Sequence, residues 1–432
     1  MTMLKVKRLG DPQIMNPLRI RCEAAGWSES VFTGENERVM KKITFDDINS
    51  VDFDSFEKAG TKAKLFFNPP ETKVAIATCG GICPGLNDVI RGLFMDLHYL
   101  YGVKDIIGVR YGYAGLAQNP PEPPICLTPQ IVSNIHDLGG TILGSSRGCP
   151  DVEEMVSTLE RTNVDILFCI GGDGTLRGAH DIDVEIEKRG LKIAVVGIPK
   201  TIDNDVTYVF RSFGFQTAVE KAKESLGCAH VEAKSALNGI GLVKLMGRDA
   251  GFIAAEATKA SGDVNFCLVP EAKFPLDGEN GLIAALEERL RNRGHALIAV
   301  AEGAGTHLLG ESDEVDASGN ALHKDIGLFL KSEIQKRLVG LGIKPSIKYI
   351  DPSYIIRSVP ANGYDSIFCA DFARAATNAA MSGRTDMLVG YWHGEFTNVP
   401  LTAVHGKKKK LNINGEMWRK VLATTGQPPE WI

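Results

Sequence analysis

The stretch VDILFCIGGDGTLRGA, residues 164–179, runs from an unbroken apolar segment into glycines around one carboxylate, Asp173. Helical spacing then begins near Thr175. A continuous apolar strand that leads into a helix is expected where both faces of a sheet are covered. The same change of pattern recurs along the chain. KVAIATC (73–79) precedes a helix from about Gly85, whose Leu86, Val89, Ile90, Leu93, Phe94 and Leu97 keep the spacing of one buried face. DIIGVRY (105–111) follows it. KIAVVGI (192–198) precedes a helix near Phe213, and GIGLVKLM (239–246) one near Asp249. VNFCLVP (264–270), a helix over about 280–293, and HALIAVAEG (295–303) complete a further unit. The alternation predicts an α/β architecture, doubly wound and rich in parallel strands. Such sheets place ligands at the carboxyl ends of their strands.

A length of 432 residues exceeds what one core usually holds, so two lobes are expected. Residues 1–72, broken by the turn-like FNPPE (67–71), read as an N-terminal extension. With 44% hydrophobic and 23% charged residues the chain reads as an ordinary soluble globular protein. A formal net charge of −5 argues against nucleic-acid or membrane-surface partners. The one basic run, Lys407–Lys410, reads as a solvated turn rather than a binding tail. No apolar run reaches the length of a membrane span and no signal-peptide core opens the chain. Nine cysteines without a disulfide spacing, Cys79 and Cys83 the tightest pair, suggest buried thiols of a cytoplasmic protein rather than zinc ligands.

Several strand ends carry chemistry. TCGGICPG (78–85) offers glycines for close backbone approach and a helix N-terminus for a phosphate, although a tight turn uses glycine too. GGTILGSSRG (139–148) adds Arg147, a candidate for a transferred phosphoryl group. No Walker P-loop occurs. Asp173 could hold Mg²⁺, which takes few protein oxygens besides phosphates, or could simply cap the helix from Thr175. GIPKTIDNDV (197–206) delivers Lys200, Thr201, Asp203 and Asp205 on a turn. Two carboxylates two apart on an extended segment point the same way, so one could take a proton from an attacking hydroxyl while the other orients it or the metal. KLMGRDAG (244–251) places Arg248 before a helix, an anion site. AEGAG (301–305) supplies Glu302, an acceptor for substrate hydroxyls, and DPSYIIRS (351–358) offers Tyr354 and Arg357.

Taken together, TCGGICPGLN, GGTILGSSRG, GGDGT, PKTIDND, GFQTA, MGRDAG, EGAG and YIIR stand in the order of the phosphofructokinase family, which the chain resembles from about Lys73 to at least Arg357. The spacing is similar to that of the long-N-terminus branch, as in trypanosomatid and some bacterial enzymes. The resemblance implies two three-layer lobes with the active site in the cleft between them. A donor-binding lobe would span 73–214, completed by about 356–395. A sugar-phosphate lobe would span 215–355, with a C-terminal segment at 396–432. It implies ATP and fructose 6-phosphate as substrates, Mg²⁺ as cofactor, phosphoryl transfer to the sugar's 1-hydroxyl in glycolysis, and a homo-oligomer, dimer or tetramer. Gly80, Gly81, Arg147, Gly148 and Gly172–Thr175 would hold the donor, with Asp173 serving the metal. Asp203 would be the base, with Lys200, Thr201, Ile202 and Asp205 beside it. Met246, Gly247, Arg248, Glu302, Tyr354, Ile355, Ile356 and Arg357 would hold the sugar phosphate.

Two departures qualify the resemblance. Diphosphate-using members typically carry Asp after GGD and Lys before TID, and bacterial ATP-using members Gly at both; here the pair is Gly174 and Lys200. An Asp at 174 would add bulk and charge where a nucleotide's α-phosphate must pass, so Gly174 favours ATP over diphosphate. Short members also place an arginine nine positions before the MGR arginine, where this chain has Gly239. That part of the sugar-phosphate clamp must come from elsewhere. NAD kinases and diacylglycerol kinases share GGDGT, but PKTIDND, MGR and YIIR argue against them. A non-catalytic sugar-phosphate-binding subunit would have lost Asp203 or Asp173, and both are present.

Overall fold

The computed structural model describes residues 4–26, 31–44, 53–148, 150–310 and 324–429. Parts of the two terminal segments (1–3, 27–30 and 45–52; 430–432) lie outside them. In chain order the elements that position the site are β1 (Arg38–Met40), β2 (Ser55–Lys58), β3 (Lys73–Thr78), α1 (Leu86–Met95), β4 (Asp105–Val109), β5 (Ile125–Cys126), α2 (Val152–Arg161), β6 (Ile166–Gly171), α3 (Asp173–Lys188) and β7 (Ala194–Pro199). There follow α4 (Phe215–Lys234), β8 (Gly239–Leu245), α5 (Phe252–Ser261), β9 (Phe266–Leu268), α6 (Leu282–Arg293), β10 (His295–Ala301), α7 (Ile326–Gly340) and β11 (Ser346–Ile350). The last are α8 (Gly363–Met381), β12 (Met387–Trp392), β13 (Glu395–Pro400) and α9 (Glu416–Thr425). The chain divides into two compact units. The first holds Met1–Thr201, Val206–Gly214 and Val359–Lys408; the second holds Ile202–Asp205, Phe215–Ser358 and Lys409–Ile432.

In the first unit a nine-stranded sheet runs β1-β2-β13-β12-β7-β6-β3-β4-β5. The five strands from β12 to β4 are parallel, and the strands at both margins are antiparallel. Every residue of β6 and β7 is buried, as strands covered on both faces require. Helix α1 buries Leu86, Val89, Ile90, Leu93 and Phe94 along one stripe. Its Gly92 lets α8 come close, because a Cβ there would stand 2.8 Å from that of Ala373. Successive crossovers leave β3 in opposite directions, to β4 on one side and to β6 and β7 on the other. The carboxyl ends of β3 and β6 therefore flank the switch point at which doubly wound sheets bind ligands. Residues read from sequence as an extension join this sheet through β1 and β2, with Phe56 fully buried. Buried Arg384 fastens them by donating to Glu57 and, over 3.0 Å, to Glu35.

The second unit is a four-stranded parallel sheet, β9-β10-β8-β11. Ile240 and Leu242 of β8 face a core shared with α6 and α7 through Leu282, Leu286, Leu330 and Ile334. Gly241 faces the other way, onto the backbone of Ala229 in α4. The alternation of faces along one strand lets helices cover both sides. Helices begin one to three residues later than the periodicity suggested at α1, α4 and α5, and two residues earlier at α3, at Asp173 rather than Thr175.

Candidate active site

In the first unit three loops at the carboxyl ends of β3, β6 and β7 are stitched together by backbone bonds. After β3, the Cys79 N–H donates to Ile170 O over 2.9 Å. Gly80 turns back with φ +80, a left-handed conformation that favours glycine. Its N–H reaches Ser146 O at 3.0 Å, and Ser145 Oγ donates to Gly80 O at 2.5 Å. The GGTILGSSRG loop is thereby held against the TCGG turn. Ser146 Oγ donates in turn to Tyr111 O. After β7, the Lys200 N–H donates to Gly171 O at 2.9 Å, and buried Lys200 sends its ammonium to Gly81 O. Thr201 O accepts from Ser212 Oγ at 2.6 Å. Arg147 and Gly148 stand exposed at the loop's end.

Within this frame α3 starts at Asp173, with Gly172 as its N-cap in extended backbone. Asp173 is thus the first helical residue, so the cap reading does not hold. Its carboxylate is half-buried at the positive end of a sixteen-residue helix, where the dipole favours negative charge. Gly171 is required by packing, since a Cβ would strike Thr175 Oγ1 at 2.1 Å. Gly174 is the contrary case: it is exposed, its φ is ordinary, and among the described residues no atom lies within 4 Å of a Cβ placed on it. Nothing in the fold asks for glycine at 174.

The second unit has its own set of loops. Ile202 is buried and Asp203 and Asp205 are half-buried, but Asn204 between them has φ +54. The segment is a turn rather than a strand, so the period-two argument that aimed both carboxylates one way fails. Beyond β8, Met246 leads to Gly247 at φ +134 and Arg248 at φ +30, an uncommon conformation for an arginine. Glu302, whose N–H donates to Leu245 O, turns a carboxylate oxygen to the Arg248 N–H at 2.9 Å. At least one of its oxygens therefore braces the Arg248 backbone, a role the sequence reading did not foresee. Gly303 is required here, because a Cβ would lie 1.7 Å from Arg248 O.

The segment after β11 is anchored by Lys244, which bridges Asp325 at 2.7 Å and Asp351 at 2.9 Å. Burial pulls its pKa down, yet its hydrogen bonds to the two carboxylates outweigh that and hold it above the usual lysine range. Burial pushes the carboxyls up, and hydrogen bonds, Lys244's among them, bring both below the ordinary carboxylate value. From that anchor Tyr354 and Ile355 project outward, 75% and 62% exposed, while Ile356 is buried. The Arg357 guanidinium lies over the Tyr354 ring at 5.0 Å, and its buried Nε has no hydrogen-bond partner among the described residues.

Two contributors were missed from sequence. The lysine run is tied down: Val206 pairs with Lys408, the Lys409 N–H donates to Asp205 O at 2.7 Å, and Lys409 Nζ donates to Asn204 Oδ1 at 3.0 Å. It braces the turn that carries Asp203. Glu271 is the second, accepting the Gly251 N–H before α5 and the Leu411 N–H. Neither could be read from local pattern, since Leu411 lies 140 residues from Glu271 and Asn204 lies 205 from Lys409. Gly239, where short relatives of the resemblance carry arginine, begins β8 with a Cβ position 2.0 Å from Ala233 O. No side chain fits there. Among the described residues no three His, Cys, Asp or Glu converge into a metal cage.

Comparison with known proteins bears on the family and the fold. The sequence profile of the family described as Phosphofructokinase matches residues 73–380. A protein of Borreliella burgdorferi named ATP-dependent 6-phosphofructokinase is 47% identical over 433 residues, covering 98% of this chain and 96% of its own. One of the same name from Trypanosoma brucei brucei is 46% identical, covering 85% of this chain and 76% of its own. In fold, the chain is similar to the pyrophosphate-dependent phosphofructokinase of Marinobacter aquaeolei, with a TM-score of 0.67 at 19% identity, covering 82% of this chain and 91% of that one.

Proposed function

The chain belongs to the phosphofructokinase family, and on that premise we propose that it transfers the γ-phosphoryl group of ATP to the 1-hydroxyl of fructose 6-phosphate. The products are fructose 1,6-bisphosphate and ADP. One observation carries the choice of donor: Gly174 is a glycine that the fold does not need. Its lack of a side chain is then explained by a ligand, a nucleotide whose α-phosphate passes α3. The relatives at 46–47% identity bear ATP in their names, whereas the diphosphate-dependent likeness is one of fold at 19% identity.

Phosphoryl transfer asks for in-line positioning and neutralisation of charge. In the proposed mechanism the N–H groups at the start of α3, with Arg147 and Lys200, receive the donor phosphates; Lys200 is kept in place by Gly81 O. Asp203 Oδ accepts the proton of the sugar 1-hydroxyl as that oxygen attacks. The left-handed Asn204 and the Lys409 clamp fix the Asp203 backbone, and Thr201 and Asp205 flank it. Arg248 and Arg357 take the sugar phosphate. Asp173 would hold Mg²⁺. A half-buried carboxylate, with no cage of three His, Cys, Asp or Glu among the described residues, suits an ion that takes most of its oxygens from phosphates and water. When bound, the ion supplies positive charge against the β- and γ-phosphates.

The reading extends to assembly and compartment. A homo-oligomer, dimer or tetramer, is favoured by the exposed Tyr354 and Ile355 beside Arg357, and sedimentation velocity checks it. The eight described cysteines are free thiols, in keeping with the reducing cytoplasm. The deciding experiment is fructose 6-phosphate turnover with ATP and with diphosphate, on wild type and Gly174→Asp. ATP is expected to be the better donor for wild type, and the variant to lose about tenfold in kcat/KM for ATP, as one unfavourable charge of roughly 1.4 kcal/mol would give. Lys200, shared with diphosphate users, makes diphosphate the second reading; a wild type that prefers it overturns the first.

A further inference from the structure

Two histidines of the second unit meet far from the loops described above. His230 lies in the last turns of α4 and His295 is the first residue of β10. Their Nε2 atoms face each other at 3.3 Å, with ring centroids 5.3 Å apart and planes tilted by 31°. The other nitrogen of each ring has a partner that can only accept. His295 Nδ1 is 3.1 Å from Arg293 O, and His230 Nδ1 is 3.2 Å from Asp263 Oδ2. Each Nδ1 therefore carries a proton, the tautomers being assigned from these partners. That leaves two Nε2 lone pairs directed at one another, which requires a cation between them.

The cation is a proton or a metal ion. A proton would make one ring an imidazolium, with Asp263 beside His230 and Arg289 and Lys234 near His295. The 3.3 Å spacing is long for an N–H donor, which ordinarily sits about 2.7–3.2 Å from its acceptor. By contrast, two nitrogens bound at about 2.0–2.1 Å to a tetrahedral ion lie about 3.3 Å apart, and the ring centres about 5.2 Å apart. Both values agree with those observed. Asp263 behind His230 and the Arg293 carbonyl behind His295 supply the outer partners that orient metal-binding imidazoles.

We propose that His230 and His295 form a two-histidine site for a late first-row divalent ion of the Zn²⁺ class, with solvent completing the coordination. No third protein ligand converges among the described residues. The nitrogen donors select against Mg²⁺, so this is a different site from Asp173. It also lies at the amino end of β10, whose seven residues at about 3.3 Å each separate it by roughly 20 Å from Glu302. A bound ion ties the end of α4 to the start of β10. Access is open, since His230 keeps 16% of its side-chain surface and Asp263 49%.

The test is calorimetric titration of the chelator-treated full-length protein with ZnCl₂ at pH 7.5, alongside its melting temperature. One equivalent per chain is expected, with a dissociation constant in the micromolar range and a zinc-dependent rise in Tm. His230→Gln and His295→Gln should each abolish that equivalent, while Asp263→Asn should weaken it about 10- to 100-fold. Co²⁺ on wild type gives a second readout that needs no variant: intense visible bands of a four-coordinate nitrogen site are expected. No zinc uptake by wild type, undiminished uptake by the double glutamine variant, or only the faint spectrum of hydrated Co²⁺ would each overturn the proposal. So would ¹⁵N spectra of metal-free protein that place a proton on one Nε2 and do not change on adding zinc.

Discussion

The glycines at 172 and 174 in the first unit and those at 247 and 303 in the second are there for opposite reasons. At 172–175 the glycines surround space: a Cβ on Gly174 meets nothing, and one on Gly172 comes no nearer than 3.6 Å to Lys200 O. At 247 and 303 they are filled in by neighbouring backbone, with Ala250 O 2.5 Å from one Cβ position and Arg248 O 1.7 Å from the other. The first set leaves room for something that the chain does not contain. The second makes room for the chain itself, and in doing so presses Arg248 into a conformation it would not otherwise adopt. Identical letters in a motif thus leave open space in one place and serve packing in another. Only the distances tell them apart.

The largest effect should fall on chemistry rather than on either kind of glycine. Asp203→Asn is expected to fold normally, bind fructose 6-phosphate and lose about 10²–10⁴ in kcat, the usual contribution of a positioned general base. Steady-state kinetics with sugar-phosphate titration checks this, and near-normal turnover removes Asp203 from that role. Next comes Gly303→Ala, where the added methyl must push Arg248 O aside. A loss of about 3 kcal/mol in denaturant unfolding is expected, at the upper end for overpacking. A variant as stable as wild type would erase the contrast between the two loop sets.

Gly174→Asp sharpens the contrast from the other side. An acid in the first turn of α3 should raise stability by about 0.3–1 kcal/mol through the helix dipole, while ATP turnover falls. Destabilisation in a thermal melt would mean that this glycine serves the fold after all.

The smallest effect is a control outside both sets. Asp386 is pushed up to about 6, first by burial, although its hydrogen bond with His180 opposes the shift. The folded state therefore holds this proton more tightly than the unfolded chain does. The resulting stability is fully present below about pH 4 and is lost as pH rises through 6. Asp386→Asn, tolerated at φ +51, lacks that titration, so its melting temperature should gain on wild type between pH 4 and 7. A change in sugar-phosphate affinity in this variant would show that the site is not confined to the loops.

Much of the molecule was legible because its signals are local. Continuous apolar runs such as Ile166–Ile170 gave the strands and their two-sided burial, and the glycines and charges after them gave the strand ends. The errors lie where local pattern and tertiary context part. Asp203 and Asp205 looked like alternate residues of a strand until Asn204 turned left-handed under the hold of Lys409. Asp173, open in sequence between metal ligand and cap, is the first residue of its helix, which removes the cap. Lys407–Lys410 was read as a solvated turn, and Lys407, Lys408 and Lys410 are exposed, but Lys409 and the Lys408 backbone also hold the Asp203 segment. Residues 1–72 carried no strong periodicity, and only pairing of β2 with β13, nearly 340 residues on, made them part of a sheet.

By itself the sequence determined the α/β winding, the order of the motifs and the kinds of side chain delivered to each strand end. These depend on residue type and spacing over ten or twenty positions, which a chain displays whatever it later contacts. Tertiary structure alone decided which glycines are empty and which are crowded, why no arginine could occupy position 239, how Glu302 is engaged, and that His230 and His295 meet. Each of those is a distance between atoms far apart in the chain. A distance of that kind is set by packing, and no local pattern encodes it.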